Sequence, residues 1–193
     1  MSSAFAPRLR ILSHLKRWSI MPTVFPDYVA SHSFFVAIYS LQIADLIHWD
    51  GHKGALLTYA LLHDVPEAIT GDVCVGAKEA FVDKGREARF ILRKTDEILP
   101  SIGKLFYGLE PNLEVDAILK AADKLDAALY CAMETAFGNS AMAARLPYTV
   151  KDLSNAWDAL PATESRRTIT WKLVERAVME HQSGANYDVE KQI

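Results

Sequence analysis

Residues 61–72, LLHDVPEAITGD, gather one histidine and three carboxylates within twelve positions. His63 and Asp64 follow two leucines directly, where an amphipathic helix would turn its apolar side rather than its wet one. On a helix, adjacent residues point about 100° apart, so both reach one ion only over the edge between them. Imidazole plus carboxylate suits a first-row divalent ion such as Mn, Fe, Co, Ni or Zn. Two ligands do not complete such a site, and the others must come from polar groups on otherwise apolar faces. His32, just ahead of Phe34 and Phe35, is one. Asp123, in AILKAADKLDAALY, borders the apolar face of its segment, while Asp126 lies nearer the centre of that face, so periodicity leaves both open. Glu67 lies four residues after His63 and three after Asp64, on the same side of a helix. It is placed to orient or deprotonate a metal-held water.

The elements that must position these groups read as helices. Leu9, Leu12 and Leu15 predict a short helix ending near Trp18, and Pro22 and Pro26 make 19–30 a loop. Ser31 is the expected N-cap of a helix over about 32–48. A helix over about 54–69 follows, with Pro66 kinking it or starting a new turn and Gly71 as its stop. Residues 76–97 are charged and amphipathic, reading as one or two helices. Val115, Ile118, Leu119, Ala122, Leu125, Leu129 and Met133 share one face of the longest helix, 113–137. Pro147 and Pro161 bracket a short helical segment, and a last helix covers about 163–182 ahead of a loose tail. No segment alternates with period two over a useful length. The expectation is an all-α, bundle-like single domain over 1–193, with its core at about 8–182.

The 193 residues are 50% hydrophobic and 23% charged, enough to bury a sizeable core. A net charge of −3 and a pI near 6.1 argue against duplex DNA or an anionic membrane as main partner. Cys74 and Cys131 form no CxxC pair, and no disulfide framework is suggested. The N-terminus lacks the apolar run of a signal peptide, and Ser40, Gln42, Asp45 and His48 interrupt the longest apolar stretch, so neither export nor a membrane span is expected. The expected location is the cytoplasm, or the host cytoplasm if the gene is phage-borne.

The order His32, His63-Asp64, Asp123 resembles the HD-domain metal-dependent phosphohydrolase superfamily. Within it the chain resembles the YfbR-like 5′-deoxynucleotidase branch. Arg17-Trp18, His32-Ser33, the HD-x-x-E-x-x-x-GD run from His63 to Asp72, Lys78 and the K-x-A-D stretch ending at Asp123 carry the likeness over roughly residues 8–140. The resemblance implies an HD-domain helical bundle. It also implies a divalent ion (Co, Mn, Ni, Zn, Fe or Mg) on His32, His63, Asp64 and Asp123. Glu67 and Asp72 would then serve catalysis, Asp72 by accepting a hydrogen bond from the sugar 3′-hydroxyl. Arg17 and Lys78 would hold phosphate, and Trp18 would leave no room for a 2′-hydroxyl. Ile20, two residues past Trp18, is a candidate wall for the base. The implied substrate is a small deoxynucleotide, without nucleic acid or membrane partners, and the family tends towards homo-oligomers, dimers or larger.

The chain departs from the branch at Ser31 and Tyr28, where Glu and Asn are usual. It also departs at Val73-Cys74-Val75, where a Pro and a phosphate-holding hydroxyl are usual. The departure at Val75 keeps an alternative open: a deoxynucleoside triphosphate triphosphohydrolase, possibly preferring dATP. A nucleotide-binding HD module without turnover is a further class, against which Glu67 argues. A di-iron HD oxygenase would want additional converging histidines, and His14, His48, His52 and His181 show no such pairing.

Overall fold

The computed structural model describes residues 7–72, Arg93 and residues 112–184. Among these, a 3-10 helix, Pro7–Ser13, precedes six α-helices: α1 Val29–Leu46, α2 Lys53–Leu62, α3 Glu67–Thr70, α4 Leu113–Ala136, α5 Ser140–Asp158 and α6 Glu164–Gln182. The fold is all-α, as the helical periodicity predicts. Apart from Arg93, the expected helices over 76–97, with Lys78 and Val73-Cys74-Val75, lie outside the described residues.

The axis of the bundle is α4. Asn112 caps its start by accepting from the amides of Glu114 and Val115. Its fully buried Ile118, Ala121, Ala122, Ala128, Cys131 and Ala132 occupy more than one side of the helix. The repeated alanines leave room for α1, α5 and α6 to approach its surface. From α5, Leu153 and Trp157 fill the same core, and Trp157 Nε1 donates to Thr170 Oγ1 of α6 at 3.2 Å. Arg166 of α6 donates to the Leu46 carbonyl at 2.8 Å and so finishes the C-terminus of α1. By length and composition alone α1 could cross a membrane. Here it is a core helix, with Val36, Ala37, Ile43 and Ala44 packed into the bundle.

Three boundaries differ from the sequence expectation. Helix α1 starts at Val29, three residues early, with Tyr28 rather than Ser31 at its cap. The Val29 amide pairs with the Leu15 carbonyl at 3.0 Å, so a tertiary contact replaces the missing side-chain cap. Pro147 lies inside α5 instead of bounding it. The proline and Ala143, whose carbonyl loses its partner, are both exposed, so water satisfies what the ring removes. Leu9, Leu12 and Leu15 pack as predicted, but the segment is a 3-10 helix ending at Ser13.

The HD stretch is held by a second, smaller apolar cluster. Val65 and Ala68 pack with Leu12 and Val29, flanked by Leu9, Leu15, Ala30 and Leu62. Helix α2 stops at Leu62 with His63 as its C-cap, and Pro66 begins α3 after one tight turn. Of the two outcomes open to Pro66, it starts a new turn. Gly71 takes φ +76° to end α3, a conformation glycine adopts without strain.

Candidate active site

Two helices and one turn bring the ligand candidates together. His32 lies in the first turn of α1, 1% exposed, where that turn crosses α4. Asp123 and Asp126 are three residues apart on α4 and therefore share a side. They bracket the His32 ring: Asp123 Oδ1 is 3.3 Å from Nε2, and Asp126 Oδ2 is 2.6 Å from Nδ1. Asp64 Oδ2 sits 3.5 Å from His32 Nε2 and 3.3 Å from His63 Nε2. The two imidazoles meet edge to face at 5.3 Å. His32, His63 and Asp123 each offer one ligand atom within 4.8 Å of the others, forming a set able to hold a metal ion.

The hydrogen bonds at Nδ1 leave Nε2 of both rings facing the cluster, the orientation a metal requires. His63 Nδ1 lies 2.7 Å from the Ala60 carbonyl, which can only accept, so Nδ1 carries the proton. Its Nε2 is buried, turned towards the cluster, and makes no hydrogen bond among the described residues. His32 Nδ1 likewise donates to Asp126, leaving Nε2 to face Asp64 and Asp123. A carboxylate or carbonyl on the far nitrogen is the usual support of a metal-bound histidine. Separations of 3.3–3.5 Å between Nε2 and Oδ atoms suit neighbouring ligands about 2.0–2.2 Å from a shared ion. Two nitrogens and two carboxylates are a borderline donor set for a first-row divalent ion. Charge agrees with this. Burial disfavours an imidazolium at His32, but the hydrogen bonds its ring donates to Asp123 and Asp126 outweigh it and lift the pKa to about 9. Burial would raise Asp123, yet His32, Lys124 and Arg17 hold it well below the usual carboxylate range. In the metal-free protein the His32 proton stands in for cationic charge that an ion would bring.

A family model described as 5′-deoxynucleotidase YfbR-like matches residues 4–164. The chain belongs to the YfbR-like 5′-deoxynucleotidase family. Curated relatives include the 5′-deoxynucleotidase plu3092 of Photorhabdus laumondii, 32% identical over 168 residues covering 78% of this chain and 84% of that one. The 5′-deoxynucleotidase yfbR of Photorhabdus temperata is 32% identical over 153 residues, 72% and 77% of the two chains. Among solved structures, the cyanophage S-2L HD phosphohydrolase DatZ, bound to dA and one catalytic Zn²⁺ ion, superposes with a TM-score of 0.72 at 17% identity. The match covers 93% of this chain and 99% of that one. The HD-domain fold expected from the resemblance is thereby established.

Of the remaining candidate positions, Arg17 and Glu67 connect to this cluster. Arg17 joins it directly: one Nη1 reaches Asp27 at 2.9 Å and Asp126 at 3.1 Å, and Nη2 lies 4.0 Å from Asp123. Burial opposes its charge, and Asp27, Asp126, Asp123 and Asp64 together restore it. One edge of the guanidinium is therefore committed to carboxylates rather than free for phosphate. Glu67 is 8% exposed at the first position of α3, its amide on the Asp64 carbonyl at 3.0 Å, so it is tied to the HD turn. Asp72 follows Gly71 immediately. Trp18 takes φ +59°, a left-handed conformation costing a bulky residue about 1–3 kcal/mol. It persists against Tyr130 of α4, stacked at 5.6 Å. Ile20 stands 73% exposed at the turn beyond it. Lys78 lies outside the described residues.

Asp27 and Asp126 complete the cluster but were not singled out as site residues. The signal for Asp126 was its i+3 relation to Asp123 on an apolar face, which served only to leave the choice open. Asp27, in a loop, carried no signal. Asp126 acts through His32, by holding the Nδ1 proton. Asp126→Asn keeps the shape but removes the charge, and is expected to weaken Mn²⁺ or Zn²⁺ binding about 10–100-fold, read by calorimetric titration. An unchanged affinity would sink this role.

Proposed function

We propose that this protein is a metal-dependent 5′-deoxynucleotidase, hydrolysing deoxynucleoside 5′-monophosphates to deoxynucleoside and orthophosphate. The observation that carries it is a buried pair of Nε2 atoms facing two carboxylates, with Glu67 tied to the same turn and the Arg17-Trp18 loop joined to it through Arg17. When bound, a divalent ion supplies Lewis acidity to a phosphoryl oxygen and makes a water acidic enough to attack. His32, His63, Asp64 and Asp123 would hold it. Glu67 accepts the proton of the attacking water while the water oxygen bonds to phosphorus. The P–O5′ bond breaks, and the sugar oxygen leaves with the proton that Glu67 took from the water. The Arg17 guanidinium keeps positive charge beside the carboxylates and the incoming phosphate. Trp18 excludes the 2′-hydroxyl, Asp72 accepts from the 3′-hydroxyl, and Lys78 adds a point charge to the phosphate. Ile20, exposed on the same loop, meets the base.

The apolar Val75, where the branch has a phosphate-holding hydroxyl, supports a second reading as a dNTP triphosphohydrolase. A turnover screen with Mn²⁺ or Co²⁺ on dAMP, AMP, dATP and ATP, with products resolved by chromatography, separates the two. Deoxyadenosine and orthophosphate from dAMP, with little from AMP, is the expected result. Intact triphosphate from dATP with dAMP untouched would replace it by the second reading. No turnover with metal demonstrably bound would leave a binding module.

A further inference from the structure

The loop from Lys16 to Tyr28 is closed at its base and clamped at its far end, and the two fastenings come from different parts of the chain. At the base, Lys16 and Tyr28 form an isolated antiparallel bridge, and the Arg17 amide donates to the Asp27 carbonyl at 3.0 Å. At the far end the partner is α4. Glu134 is fully buried, and its two oxygens accept from three close donors, the Phe25 amide at 2.7 Å, the Val24 amide at 2.7 Å and Asn139 Nδ2 at 2.6 Å, with the Tyr130 hydroxyl farther off at 3.5 Å. Asn139 Nδ2 also donates to the Pro22 carbonyl at 2.9 Å. Tyr130 donates its hydroxyl to the Phe25 carbonyl at 2.6 Å and lays its ring against Trp18. A buried carboxylate with no cation hydrogen-bonded to it among the described residues is unusual. Here its donors are the loop backbone and two residues, Asn139 and Tyr130, that themselves bond to the loop.

We propose that Glu134 and Tyr130 are positioning residues for sugar selection, holding Trp18 where it discriminates deoxyribose from ribose; this rests on the deoxynucleotidase reading above. Trp18 occupies a backbone conformation that a bulky side chain adopts only under constraint, and Tyr130 supplies the stack that constrains it. Glu134 acts one step further back. It fixes the Val24–Phe25 backbone, and so the return path of the loop. A carboxylate is required because the three donors leave no place for an N–H. The same helix thus carries Asp123 and Asp126 at one level and, one to three turns on, the groups that set the loop.

The test compares kcat/KM for dAMP and AMP in the wild type, Glu134→Gln, Tyr130→Phe and Trp18→Ala, with the two α4 changes also placed in the Trp18→Ala background. Glu134→Gln preserves size but sets one N–H against a loop donor. It is expected to lower the dAMP-to-AMP preference at least tenfold, with Mn²⁺ affinity unchanged because no ligand is touched. Tyr130→Phe keeps the stack and loses the hydroxyl that donates to the Phe25 carbonyl and lies 3.5 Å from Glu134 Oε1, so a three- to fivefold loss is expected. Neither change should lower the preference further once Trp18 is gone. A preference within twofold of wild type in both variants, whatever their thermal stability, would overturn the proposal. So would an equal loss in the Trp18→Ala background, which would mean the two residues act independently of Trp18. If Glu134→Gln does not fold, Tyr130→Phe alone carries the same two criteria. A wild type that turns over none of these substrates overturns the nucleotidase reading. A wild type that hydrolyses dAMP and AMP equally removes the sugar role of Trp18 and this proposal with it.

Discussion

His63→Ala is expected to lower the hydrolysis of dAMP by about 10³-fold or more and to abolish tight binding of a divalent ion. His63 contributes a buried Nε2 that makes no hydrogen bond among the described residues, and its tautomer is already set by the Ala60 carbonyl at 2.7 Å. Alanine at this helix end leaves the apolar contacts of Val65 and Ala68 in place, so the fold should survive. The magnitude follows from charge stabilisation worth several kcal/mol at a metal centre, each ~1.4 kcal/mol being a factor of ten in rate. The same experiment has a pH signature. In the metal-free protein His32 is protonated up to about pH 9, and an ion must displace that proton. Affinity should therefore climb towards pH 9 and flatten above it, with a proton released on binding near neutrality. Calorimetry in buffers of different ionisation heat reads the proton directly. A His63→Ala protein that keeps its metal and more than a tenth of its turnover would show that the ligand set is wrongly drawn.

The parts of this molecule that sequence conveyed are those set by local periodicity and residue order. Helix α4 was legible to within a residue because its apolar positions share one face over its whole length. The order His32, His63-Asp64, Asp123 was legible because residue order along the chain survives folding, although His63-Asp64 fall in the turn after α2 and not within a helix. What escaped were choices made by tertiary contact. Val29 starts α1 because its amide meets Leu15 across the loop, and Pro147 sits within α5 because the bond it breaks faces water. Asp126 outranked Asp123 on the helical wheel, and the geometry uses both, one on each nitrogen of a single ring. A wheel locates a side but cannot say which of two carboxylates on it meets Nε2. Glu134 was the least legible, since a carboxylate in a long charged helix reads as solvated until its three donors are seen.

Glu67→Gln is expected to reduce kcat by about 10²–10⁴-fold while leaving KM within a few-fold and metal affinity intact. The separation of effects follows from where Glu67 sits. It contributes no atom to the His32, His63 and Asp123 set, yet its amide is bonded to the carbonyl of Asp64 at 3.0 Å, so any movement of the HD turn carries it along. At 8% exposure a carboxylate there is kept for a reason other than solvation. Pro66 sets the backbone ahead of it, so glutamine enters the same position with the same length and only the basicity is lost. The rate loss should be independent of which divalent ion is loaded, because the deficit lies in proton acceptance and not in polarisation. The acidic limb of the kcat–pH profile, which reports the base in the enzyme–substrate complex, should flatten in the variant. Single-turnover phosphate release from dAMP, measured beside Mn²⁺ titration, provides both numbers. A Glu67→Gln enzyme with wild-type kcat would move the base elsewhere. One that loses turnover and metal together would make Glu67 part of the ion's support instead of the group that takes the proton.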